Sequence, residues 1–201
     1  MQPLAKVNVY KIVQANIVEA TSKNIHGDLI DKCLHGDRKS YEKIYKLYSK
    51  AMYNVSYRIL HDEAEAEDIL QESFVSAFKN LHNFKQEATF GSWLKRIVVN
   101  NSINALRKRK LEFEDVDENI KLPEDEKFDL DEHMMQVNIV KSAIKDLPDG
   151  YRLVFSLYML EGYDHIEISN ILGISESTSK SQFNRSKKKL KELIKKRYEK
   201  G

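Results

Sequence analysis

An all-α fold is predicted for this chain by three observations. Apolar residues recur at steps of three and four through most of its length, the repeat of a helix with one buried face. Only seven Gly and three Pro interrupt its 201 residues. Alternating Val, Ile and Thr, the mark of a half-buried strand, is scarce. The helical pattern lapses over one long stretch, about 110–130. The expected architecture is therefore two small helical domains joined by an acidic flexible linker, the C-terminal one a four-helix domain containing a helix-turn-helix.

The elements follow in order. Residues 1–26 carry Val7, Val9, Ile12, Val13, Ile17 and Val18 at spacings that suit a strand or a helix equally, and form an N-terminal extension of unknown role. A short helix is expected from Asp28 to His35, stopped by Gly36. The next, over 39–60, buries Ile44, Leu47, Tyr48, Met52, Val55, Ile59 and Leu60. Asp62 caps a third helix reaching Leu81. Ala66, Leu70, Phe74, Phe78 and Leu81 share one of its faces, and Glu65, Asp68 and Glu72 share another.

After a break at 82–85, a fourth helix begins near Thr89. Its buried stripe is Phe90, Trp93, Leu94 and Ile97, and its polar face is Arg96, Asn100, Asn104 and Arg107. These four helices make a first domain over 27–110. The linker, 111–130, lacks periodicity and contains Pro123. A second domain, 131–201, starts with a helix that buries Val140, Ala143, Ile144 and Leu147 and stops before Pro148. An almost wholly apolar helix, Tyr151 to Leu160, follows and ends at Gly162.

The stretch YDHIEISNILGISESTSKSQFNRSKKKLKELI, 163–194, then reads as two helices hinged at Gly173. Ile168, Ile171 and Leu172 lie on one side of the first. Gly173 suits a turn that needs positive φ, and Ile174 returns to the core. Ser175 is an N-cap, with Glu176 in the first turn of the next helix. From Lys180 onward ten Lys or Arg stand against two Glu. A protruding basic helix after such a turn is how helix-turn-helix proteins enter the DNA major groove.

Charge is segregated although the totals nearly cancel, 33 Lys+Arg against 31 Asp+Glu. Residues 112–132 hold eleven acids and two lysines, while 95–110 hold six bases and no acid. Two basic working faces separated by an acidic connector are expected. Cys33 is the single cysteine, so there is no internal disulfide framework and no all-cysteine metal site. No apolar run approaches the ~20 residues that span a bilayer, and no secretory signal opens the chain. A soluble cytoplasmic protein is expected.

Enzyme signatures are wanting. His165-Ile166-Glu167 has the H-x-E spacing of zinc deaminases but lacks the companion P-C-x-x-C. No Gly-rich phosphate loop or G-x-S-x-G elbow is present. The expectation is a non-enzyme without cofactor or metal.

Two long segments resemble one family, the extracytoplasmic-function sigma factors of bacterial RNA polymerase. EAEDILQESFVSAFKNLHNFKQEATFGSWLKRIVVNNSINALRKRK is similar to the family's core-binding and −10-reading domain. LPDGYRLVFSLYMLEGYDHIEISNILGISESTSKSQFNRSKKKLKELI is similar to its −35-reading domain. Together they cover most of residues 28–194. The resemblance implies a promoter-specificity subunit for core RNA polymerase. A linker of about 20 residues at roughly 3.3 Å each reaches some 65 Å, close to two DNA turns at about 34 Å per turn.

The resemblance also implies roles for residues. Glu65, Asp68, Gln71 and Glu72 would meet the clamp helices of the polymerase's large subunit through charge-assisted contacts to arginine, and the second domain would meet the flap of the second subunit. Asn80, His82, Asn83, Phe84 and Lys85 would hold unstacked bases of the −10 element. Asn100 and Asn101 would face the strand where melting begins, Asn100 as base reader. Arg96 and Arg107 would hold phosphates. At the −35 element the corresponding set is Ser175, Thr178, Lys180, Ser181, Asn184, Arg185 and Lys188. Members of the family are often held inactive by an anti-sigma protein, and the resemblance admits one as a further partner without identifying it.

The chain departs from the family pattern at Ser169, Ser179, Gln182 and Ser186. Ser179 stands where an apolar residue should pack, so a loosened helix-turn-helix is expected, at about 1–3 kcal/mol if its hydroxyl is buried without a partner. The competing reading is a stand-alone regulator that binds an operator as a dimer. That regulator would need a ligand pocket or dimer surface in the first domain.

Overall fold

The computed structural model describes residues 26–109 and 137–198. Residues 1–25 of the expected extension 1–26, the linker 111–130, and residues 131–136 and 199–201 of the expected second domain lie outside them. Eight helices are described: α1 Gly27–Leu34, α2 Arg38–Leu60, α3 Glu63–Lys79, α4 Phe90–Lys108, α5 Val137–Lys145, α6 Asp149–Phe155, α7 His165–Leu172 and α8 Glu176–Tyr198. No strand is present among the described residues. The strong helix pairings fall into two groups, α1–α4 and α5–α8.

Local chemistry sets the boundaries. Asp37, Asp62 and Thr89 cap α2, α3 and α4, each accepting from the backbone N–H three residues on. Asp164 and Glu167 form a reciprocal capping box on α7, a signature the sequence reading passed over. α3 ends at Lys79 rather than Leu81, because the Asn80 amide donates to the Ser76 carbonyl at 2.9 Å and a 3-10 turn follows over Leu81–Asn83. Gly91 lets α4 start close to Tyr48, whose ring would lie 3.1 Å from any Cβ placed there.

In the first group, Ile44, Ile59 and Leu60 of α2 pack against Ala66, Leu70 and Phe74 of α3 and Leu94, Val98 and Ile103 of α4, all buried. Leu47, expected inside, is 53% exposed. It lies about 60° around the helix from Ile44, on the edge away from Tyr48, Val55 and Ile59, where the buried face ends. In the second group, α8 is the spine: Phe183, Leu190 and Ile194 are buried with Leu153, Val154 and Leu157 from α6 and its π-helical continuation, Ser156–Leu160.

Arg152 is a charged group only 6% exposed, and its role is structural: it donates to the carbonyls of Leu147, at 2.9 Å, and Lys145, so that it closes the end of α5. No helix among the described residues is long and apolar enough to cross a membrane.

One titration follows from this packing. His61 ends α2 at φ 57, and its imidazole is held down to about pKa 4 by burial, then by the positive charges of Arg152 and Lys145, with Asp149 and Asp146 partly offsetting them. The folded pKa lies below the ordinary 6.5, so the unfolded chain takes up the proton first. The His61 contribution to stability is therefore complete above about pH 6.5 and is lost as pH falls towards 4. Asn also tolerates left-handed backbone. Thermal melts of His61→Asn should lose less stability than the parent between those pH values, and parallel curves would contradict this.

Candidate nucleic-acid interface

The polar face of α4 forms as its spacing requires. Arg96, Asn100, Asn104 and Arg107 are all exposed over a stripe of buried Leu94, Val98, Val99, Ile103 and Leu106. Asn101 does not share this face. Its amide donates to Ser73 Oγ at 3.0 Å, which ties α4 to α3 and turns the group away from any strand. One residue of helix is a rotation of 100°, enough to separate a presented amide from a packed one.

The loop before α4 divides similarly. His82, Asn83 and Lys85 are exposed. Phe84 is not a free ring: it lies 5.3 Å from Trp93 and 5.7 Å from Phe90, in an aromatic cluster that roofs the core. The side chain of Asn80 serves the helix end described above. Lys85, Trp93 and Arg96 line one wall of a cleft of about 580 Å³.

On α3, Asp68, Gln71 and Glu72 are exposed in a row, with Val75, 51% exposed, among them. Glu65 is half-buried and ion-paired with Arg109 at the end of α4, so it braces two helices instead of standing in the row. A shallow groove beside the row is lined by Tyr45, Lys50, Tyr53, Glu67 and Gln71. Sequence reasoning missed the α2 side of this groove because those residues lie on a different helix.

Helix α8, read from the sequence as the recognition helix, is more tightly seated than expected. Ser175 caps it, accepting from the Thr178 N–H at 3.0 Å. Ser179 is fully buried, but its hydroxyl hydrogen-bonds His165 Nδ1 at 2.9 Å. The His165 ring stacks on Tyr158 at 4.4 Å. The hydroxyls of Ser169 and Ser186 donate to the carbonyls of Ile166 and Phe183, at 2.7 Å each. Since every one of these hydroxyls has a partner, the condition for the expected loosening is not met.

Ser181, expected among the −35 contacts, faces inward. It is 2% exposed and bonds back to the Thr178 carbonyl at 2.9 Å, so it lies inside and not on the outer face. The buried arc of α8 takes in Ser179, Ser181, Gln182 and Phe183 together, wider than a two-residue stripe. Lys180 and Lys188 are exposed, Lys180 pairing with Glu176 at 2.7 Å. Thr178, Asn184 and Arg185 are half-buried. His165 and Glu167, the H-x-E pair, are thus a packing hydrogen bond and a helix cap.

Against known proteins, residues 44–112 match the model of sigma-70 region 2 and residues 138–190 that of sigma-70 region 4. The chain is 31% identical over 175 residues to the ECF RNA polymerase sigma factor SigW of Bacillus subtilis, covering 79% of this chain and 91% of that relative. It belongs to the extracytoplasmic-function sigma factors. This sigma factor is also 29% identical over 153 residues to SigM of the same organism, covering 76% of this chain and 93% of that relative.

A solved complex of the sigma factor RpoE with the anti-sigma factor NepR, from Bartonella quintana, shares the fold at 22% identity and a TM-score of 0.51, over 78% of this chain and 98% of that one. The chain is thus an alternative sigma factor that directs transcription initiation, not a stand-alone regulator.

Proposed function

We propose that this sigma factor divides its work along its surface, with domains at 27–110 and 131–201 and a linker at 111–130. Asp68, Gln71 and Glu72 dock on the clamp helices of the polymerase's large subunit, and the second domain meets the flap of the second. α4 and the loop before it read and open the −10 element. Asn100 pairs with a base edge, and Arg96, Arg107 and Lys85 hold phosphates, with His82 and Asn83 beside the displaced strand. The outer side of α8 reads the −35 element through Lys180, Asn184 and Arg185, while Lys188 takes a phosphate. An anti-sigma protein is part of the proposal on the family resemblance alone.

The observation that supports this reading best is the exposed row of α4, two amides between two guanidinium groups above a sealed core. A row of that kind offers base-edge donors and acceptors flanked by phosphate contacts. Asn100→Ala should cost about 1–3 kcal/mol of promoter opening. The check is permanganate footprinting with core polymerase, on a promoter mapped from transcripts of genomic templates. Initial binding should change less than melting, and undiminished melting would remove Asn100 from its role.

A further inference from the structure

One buried carboxylate ties the two helix groups together. Glu161, at the end of the π-helical turn, has a side chain only 3% exposed. Two cations of the first group reach it. Arg58 of α2 contacts Oε1 through Nε at 2.8 Å and through its terminal nitrogen at 2.7 Å. Lys95 of α4 donates to the Glu161 carbonyl oxygen at 2.9 Å, lies 4.0 Å from Oε2 and sits over the Tyr163 ring at 5.5 Å.

A second tie lies further along α4, where Arg107 donates to the Ile171 carbonyl at 3.0 Å, in the last turn of α7. A carboxylate out of water must be paired, and here both partners come from the other module.

An arginine fork and a lysine converging on one anion is also how proteins grip a DNA phosphate. Arg58 and Lys95 lie on the same module as the proposed −10 face, and Arg107 belongs to that face itself. We propose that Arg58 and Lys95 form a phosphate site for the DNA backbone, and that Glu161 fills it in the free protein as an internal phosphate mimic. The closed chain is then self-inhibited, and DNA must displace Glu161 to bind. The site rests on the reading of α4 as a DNA face; the latch does not.

The two halves predict opposite signs, which a merely structural ion pair would not give. Glu161→Gln removes the mimic and leaves the site. Arg58→Gln removes part of the site and also releases the latch; its side chain is 37% exposed, so α2 tolerates the change, and circular dichroism checks that the second module stays folded once Glu161 is released. The full chain would carry a fluorescence donor and acceptor at Lys43→Cys and Lys196→Cys, both on exposed positions. Cys33 is buried, with its thiol pushed up to about 11 by burial and then by Asp37, and stays unlabelled.

Without DNA, energy transfer should fall in both variants. Binding of a mixed-sequence DNA single strand should strengthen about tenfold in Glu161→Gln, as the closed fraction is removed. It should drop below that of Glu161→Gln in the double variant with Arg58→Gln, with a salt slope smaller by about one. Unchanged transfer in both single variants overturns the latch. Opening with equal DNA affinities in all variants overturns the phosphate site while leaving the latch. Binding by no variant would refute both that site and the DNA face of α4.

Discussion

Reversing Asp68 and Glu72 together to lysine should weaken binding of core polymerase by about a hundredfold, since turning paired charges into like charges across an interface costs several kcal/mol. Both side chains are exposed on α3, while the face that builds the core, Ala66, Leu70, Phe74 and Ala77, is untouched. The fold should therefore survive, which circular dichroism can confirm beside a titration with core enzyme. Glu65→Lys is the informative control. Its carboxylate already serves Arg109, so the change breaks a half-exposed internal pair, worth about 1 kcal/mol or less, and docking should hardly move. Equal losses in the two variants would show that the whole acidic helix acts as a diffuse field and not through a specific row.

Ile168→Ala should strongly destabilise the second group. Ile168 is fully buried where α7 meets α8, and truncating such a residue costs about 2–5 kcal/mol, the lost burial plus the cavity left behind. A small helical module has a total stability of that order. Binding to −35 duplex should vanish as this module melts, while docking through α3 persists, because the strong packing contacts of α1–α4 are among themselves. Thermal melts followed together with duplex binding would show it; an unshifted transition would mean that α7 contributes little to seating the recognition helix.

Much of this was legible in the sequence because it is local. Asp62 and Thr89 cap their helices since a carboxylate or hydroxyl three residues before an orphan N–H has little choice of partner. Gly173 adopts φ 70 because the turn between α7 and α8 requires it. Asn100 is presented because its place in the apolar repeat says so.

The errors share one cause. Asn101, Phe84, Glu65 and Ser181 are polar or aromatic groups beside the right surface, and each found an internal partner: Ser73, the Phe90–Trp93 cluster, Arg109 and a backbone carbonyl. Helical spacing gives the direction of a side chain but not whether a neighbouring element is waiting there.

Ser179 makes the same point in the opposite sense. By itself it reads as a flaw in the packing face of α8, and only the fold brings His165 from fourteen residues earlier to bond its hydroxyl. Helical class, cap and turn chemistry, the two family segments and the exposed row of α4 can all be read from the order of residues. Those depend on a residue and its neighbours within about two turns. The tertiary structure alone decided which polar groups were free to act, and it paired Glu161 with Arg58, 103 positions away, because desolvating a carboxylate obliges whichever cation is nearest in space to join it.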